Sequence, residues 1–105
     1  MSSRREKIEA MLAEAPADTF LRYGLAIEQE KAGEHEASLK QLRELTHDDT
    51  PYVPAFFMAG QQLTRLDRIE EAREILRRGI EEARKQGDHH AAGEMGEFLT
   101  GLGMP

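Results

Sequence analysis

The sequence predicts an all-α fold of about six helices paired as antiparallel hairpins, and three observations carry that prediction. Position differences of 34 recur: Ile8, Leu42 and Leu76 are so spaced, as are Met11, Leu45 and Gly79 and the pairs Leu25/Ala59, Ala26/Gly60 and His35/Ile69. A period of that length suits one helix–turn–helix unit. Apolar residues fall at helical rather than alternating spacing throughout, so no sheet is expected. The stretches between periodic segments are short, which makes successive helices antiparallel neighbours.

Each element has its own start and stop. Ile8, Met11, Leu12 and Ala15 trace the i, i+3, i+4, i+7 stripe of a first helix. Ser3 and Glu6 open it as a capping box, and Pro16 closes it, because the residue before a proline avoids the α region. Asp18 caps a second helix carrying Phe20, Leu21, Leu25 and Ala26, and Gly33 stops it in the left-handed conformation. A third helix carries Leu39, Leu42 and Leu45. The segment His47-Asp48-Asp49-Thr50-Pro51 is the strongest turn, with Pro51 suited to the first turn of the next helix. That fourth helix holds Phe56, Ala59, Gly60 and Leu63. Asp67 and Glu70 read as a second capping box before a fifth helix with Ile69, Ala72, Ile75, Leu76, Gly79, Ile80 and Ala83. Gly87-Asp88 ends the fifth helix and starts a sixth, with Ala92, Met95, Leu99 and Leu102.

Bulk properties narrow the function classes. A chain of 105 residues suits one domain. With 6% aromatic residues and no Trp, the interior must be filled by Leu, Ile, Ala and Met. The lack of cysteine excludes disulfides, thiolate zinc sites and cysteine nucleophiles, and is compatible with a reducing cytoplasm. A net charge of −6 disfavours general nucleic-acid binding, since like charge repels the phosphate backbone. No apolar run approaches a membrane span, and the basic start Met1-Ser2-Ser3-Arg4-Arg5 is followed by no apolar stretch, so neither a membrane anchor nor a secretion signal is expected.

The residues resemble the tetratricopeptide repeat (TPR) family. Phe56, Ala59-Gly60, Leu63, Ile69, Ala72, Leu76 and Gly79 match its pattern in order without a gap, with Asp67 where a turn glycine is usual. Small residues at Gly60, Ala72 and Gly79 let the helices of a hairpin, and the next hairpin, approach closely. The preceding repeat is more diluted: Leu25-Ala26, Gly33, His35, Leu42 and Leu45 hold the register, while Arg22 and Gln29 stand at the two large positions and Ser38 replaces Ala. A second register, through Phe20, Tyr23-Gly24 and Ile27, needs two extra residues before Gly33, and the ungapped one is preferred. The resemblance implies a right-handed superhelix divided into a half-repeat helix at 1–16, repeats at 19–52 and 53–87, and a capping helix at 88–105. The chain is also similar to short stand-alone bacterial TPR proteins.

The same resemblance implies a protein–protein interaction module or assembly adaptor that binds a peptide on the concave face formed by the first helix of each hairpin. Carried over, that groove comprises Tyr23, Ile27, Lys31, Phe57, Met58, Gln61 and Arg65, with Thr64, Glu94 and Glu97 beside it: an apolar and aromatic floor with a cationic edge. The carboxylate clamp of one TPR subset is missing, since Gln61 stands where its Asn is needed and Tyr23 and Phe57 where its first-turn Lys is expected. The end helices, through Ile8/Met11/Leu12 and Met95/Phe98/Leu99, offer apolar faces for a homodimer. A metal reading has only His90 and Glu94, four apart on one helix face, with His89 about 100° around the helix; His35 and His47 belong to turns. No metal, cofactor or catalytic residue is expected, because no nucleophile elbow, phosphate loop, dinucleotide fingerprint or zinc-protease helix is present and Ser2, Ser3 and Ser38 have no positioned base. The basic run Arg73, Arg77, Arg78, Arg84, Lys85 is interleaved with Glu70, Glu71, Glu74, Glu81 and Glu82, so it reads as a solvated face with Glu74–Arg78 and Glu81–Lys85 pairs rather than a nucleic-acid surface.

Overall fold

Side-chain oxygens that meet free backbone N–H groups mark the start of three of the six described helices. In the computed structural model, which describes residues 3–103, the six are α1 (Arg4–Glu14), α2 (Thr19–Lys31), α3 (His35–Thr46), α4 (Val53–Arg65), α5 (Ile69–Lys85) and α6 (His89–Gly101), with no strand among the described residues. Ser3 and Glu6 close the expected capping box on α1, Asp18 accepts from the Leu21 amide, and Asp88 accepts from the Ala91 amide. The expected box at Asp67 does not form. Asp67 instead takes φ 62°, the conformation Gly33 adopts at φ 81° one repeat earlier. A short polar side chain tolerates the left-handed region, so Asp67 acts as the turn residue and is not free to cap.

The two positions build the same helix stop. Gly33 N–H bonds to Glu30 O and Glu34 N–H to Gln29 O; Asp67 N–H bonds to Thr64 O and Arg68 N–H to Leu63 O, all at 2.8–3.0 Å. This double bond pattern satisfies carbonyls that the helix end leaves open. Pro51 lies outside α4; Pro54 occupies its first turn instead, where a missing N–H costs nothing.

Packing follows the chain order: α1 on α2, α2 on α3, α3 on α4, α4 on α5 and α5 on α6, with a lighter contact between α4 and α6. The core comprises Ala26, Leu39, Leu42, Leu45, Phe56, Ala59, Leu63, Ala72, Ile75, Leu76 and Met95 together with smaller residues. Two glycines allow the close approaches. A Cβ on Gly60 would lie 2.6 Å from Leu76 Cδ2, and one on Gly79 would lie 2.5 Å from Phe56 Cβ and 2.7 Å from Met95 Sδ.

The diluted repeat keeps its packing by polar substitutes. Ser38 is fully buried; its hydroxyl donates to Ala26 O at 2.6 Å and accepts from Gln62 Nε2 at 3.1 Å, so α2, α3 and α4 share one hydrogen-bond relay. Arg22, one period before Phe56, forms a two-pronged ion pair with Asp48 in the loop after α3 (2.7 and 3.2 Å).

Two further expectations are corrected. Arg73 is buried rather than solvated: it pairs with Glu70, and its Nη2 donates to Leu102 O (3.2 Å) and Gly103 O (3.4 Å), holding the C-terminus of α6. Arg78 lies 5.6 Å from the centre of the Phe56 ring and 3.4 Å from His47 Nε2, and neither the Glu74–Arg78 nor the Glu81–Lys85 pair forms. The end faces are also less open than their sequence implies. Ile8 and Met95 are buried, and Phe98 packs onto α4, leaving Met11 (48% exposed) and Phe20 (71%) as the large exposed apolar side chains among the described residues.

Candidate functional site

The helical register decides which residues meet on one side of the stack. Tyr23 and Phe57 share the 34-residue spacing, as do Ile27 and Gln61; extending it reaches Ala91 and Met95 on α6. A cavity of about 300 Å³ opens where these positions converge, lined by Val53, Pro54, Phe57, Met58 and Gln61 of α4, by Asp88, His90, Ala91, Glu94 and Met95 at the start of α6, and by Tyr23 of α2.

Aromatic edges fix its walls. Phe57 meets Phe98 edge-to-face at 5.7 Å between centroids, which ties α4 to α6. Tyr23 meets Tyr52 in the same manner at 5.3 Å, which brings α2 up to the start of α4. Partial burial, reinforced by Tyr52, pushes the Tyr23 hydroxyl above its usual pKa, so it stays a neutral hydrogen-bonding group at the cavity wall.

Four of the residues expected in the groove therefore line the cavity: Tyr23, Phe57, Met58 and Gln61. Ile27, Lys31 and Arg65 do not. The cations of the expected edge are paired: Lys31 Nζ lies 3.4 Å from Glu28, a carboxylate it shares with Arg4, and Arg65 Nη2 lies 2.5 Å from Glu30. Thr64 donates back to Gly60 O of its own helix at 2.8 Å. The exposed charge at the cavity mouth is carried by Asp88 and Glu94. His90 Nε2 lies 3.4 Å from Glu94 Oε1, both side chains facing solvent, and among the described residues no group of three His, Asp or Glu gathers around a common point. Extending the repeat period from Phe57 and Gln61 would have found Ala91 and Met95, whereas Val53 and Pro54 enter only because α4 starts two residues after Pro51.

No protein-family model matches the chain. A TPR repeat-containing protein of Pseudomonas aeruginosa is 29% identical over 97 residues, covering 92% of each chain. The solution structure of a protein from Bordetella parapertussis superimposes with a TM-score of 0.80 at 30% identity, covering 97% of this chain and 89% of that one. The solution structure of a tetratricopeptide repeat domain protein from Salinibacter ruber superimposes with a TM-score of 0.79 at 32% identity, covering 84% of this chain and 89% of that one. The chain belongs to the tetratricopeptide repeat family. The TPR fold is in general that of a protein–protein interaction module, and in this TPR chain no helix among the described residues is long and apolar enough to cross a membrane. The cavity just described lies on the TPR helices α2, α4 and α6, with α3 and α5 packed against them.

Proposed function

We propose that this TPR protein captures a peptide segment of another protein in the groove along α2, α4 and α6, as a non-catalytic adaptor in the cytoplasm. The observation that carries this reading is the cavity of about 300 Å³ floored by Phe57, Met58, Ala91 and Met95. It stands at the bottom of the roughly 300–1,000 Å³ range of small-molecule pockets, so it suits one aliphatic or aromatic anchor side chain rather than a whole metabolite. Each helix of the wall is held by its sequence neighbours, so little ordering accompanies capture. The repeat division at 19–52 and 53–87, flanked by 1–16 and 88–105, belongs to the same reading.

The test is affinity capture from a lysate of the source cells with wild type, Ala91→Phe, which fills the cavity, and Met58→Ala, which removes part of its floor. Both variants should keep the helical circular dichroism spectrum and lose the captured protein. Recovery of the same protein in equal yield by Ala91→Phe refutes the groove.

A second reading, self-association, is favoured by the exposure of Met11 on α1 and Phe20 on α2. Light scattering behind a sizing column decides it: a concentration-dependent dimer abolished by Phe20→Ser supports it, and a monomer at every concentration ends it.

A further inference from the structure

The cations on the groove helices are already engaged. Arg22 is held by Asp48, Lys31 by Glu28 and Arg65 by Glu30, and α4 contributes no carboxylate of its own. Helix α6 is the opposite case. Between residues 88 and 103 there is no Lys or Arg, while Asp88 and Glu94 line the cavity mouth and Glu97 stands exposed one turn beyond Glu94. Residues three apart on a helix are neighbours on its surface, so Glu94 and Glu97 form one anionic strip. The apolar cavity is thus bordered by carboxylates with no Lys or Arg partner among the described residues.

Resting on the groove reading above, we infer that the occupant is a basic peptide segment: one apolar side chain in the cavity, flanked by Lys or Arg residues that meet Asp88 on one side and Glu94 and Glu97 on the other. Asp88 and Glu94 are separated by roughly 9 Å along the axis of α6. An extended peptide covers that in about three residues, which sets the spacing of the basic side chains around the anchor. The polarity is the reverse of a site built from Lys side chains to hold a carboxylate: acidic segments are repelled from this mouth, and uncharged ones gain only the anchor.

The experiment uses three pools of synthetic nonapeptides with Leu, Met or Phe at the centre and flanks of Lys/Arg with Ser, of Ser/Gln, or of Asp/Glu with Ser. Binding is read by fluorescence anisotropy and by backbone amide shifts of the isotope-labelled full chain. The basic pool should bind tightest and move amides 57–61 and 91–95. The double variant Glu94→Gln/Glu97→Gln should weaken the basic pool on the order of 2- to 30-fold, the range for two exposed charge pairs, and leave the neutral pool unchanged. The same change of net charge on α5, Glu74→Gln/Glu81→Gln, should leave all three pools unchanged. Neutral or acidic peptides that bind as tightly as basic ones, with the groove amides moving, overturn the charge inference while the groove stands. Equal weakening by the α5 variant also overturns it, reducing it to attraction by net charge. If no pool moves the groove amides at millimolar concentration, the groove reading itself falls and takes the inference with it.

Discussion

Adding one methyl group to α5 at Gly79 should destabilise the protein, whereas the same methyl on α6 at Gly93 should stabilise it. The Cβ of Gly79→Ala would sit 2.5 Å from Phe56 Cβ and 2.7 Å from Met95 Sδ, well inside normal contact. Met95 can rotate away, but Phe56 Cβ is one bond from the backbone of α4, so α4 and α5 must separate. Overpacking of this kind costs about 1–3 kcal/mol, and a contact to a backbone-anchored atom belongs at the upper end. Alanine returns about 1 kcal/mol of helix propensity, leaving a net loss of about 1–2 kcal/mol. For a domain of this size that lowers the Tm by roughly 5–15 °C. Gly93 has nothing within 4 Å of its virtual Cβ. Gly93→Ala therefore keeps most of the propensity gain, about 0.5–1 kcal/mol, and raises the Tm by a few degrees. Thermal unfolding followed by circular dichroism, with a urea titration for free energies, measures both. A Gly79→Ala protein as stable as wild type would show that the α4–α5 spacing is not set by this contact, and the reasoning from small residues to close packing would fail.

Three other outcomes are expected. Ser38→Ala strands the buried Gln62 amide and should cost about 1–3 kcal/mol, while Ser38→Ala with Gln62→Leu removes both partners and should recover most of the loss in a urea titration. Arg73→Met removes the donor to the Leu102 and Gly103 carbonyls just past α6 and should raise hydrogen exchange at residues 99–103 by about tenfold or more, with smaller effects in α2 and α3. In acid, the Glu34 carboxylate is held below its usual pKa by the Arg5 hydrogen bond and Glu71 by that of Arg68, so both bind protons more readily when unfolded. Their stabilisation is complete above the ordinary value of 4.5 and is lost as the pH falls through their lower folded values. The Tm should decline below about pH 4.5, and Glu34→Gln/Glu71→Gln should flatten that decline; an unchanged acid limb would contradict the assignment.

What the sequence revealed depended on how far apart the interacting groups lie along the chain. Ser3 with Glu6, Asp18 and Asp88 act on amides three residues away, so their roles were readable from spacing alone. Asp67 was misread because two local chemistries compete for an aspartate before a helix, capping and the left-handed turn, and only the path of the chain chooses between them. The buried fate of Arg73 depends on carbonyls 29 and 30 residues away, and the pairing of Arg65 on a carboxylate 35 residues away. The hairpin stack was legible because a repeat period turns distant contacts into a local rule. The cavity was legible only in part: Tyr23, Phe57, Met58, Gln61 and Glu94 were placed at the groove from the sequence, whereas Val53, Pro54 and Asp88 line it through the local starts of α4 and α6.

Helix α1 joins the rest by one buried side chain, Ile8, which rests against Gly24, and by ion pairs from the exposed ends of Arg5 to Glu34 and of Arg4 to the half-buried Glu28 (3.3 Å). Exposed pairs are weak and screened by salt, so the free energy of lifting α1 away is a small fraction of that needed to unfold the chain. Residues 4–14 are therefore expected to detach and return more often than the chain unfolds globally, and more often as ionic strength rises, each excursion baring the notch at Gly24 while the core around Leu42, Phe56 and Leu76 stays closed; amide exchange of α1 measured against that of α4 checks it.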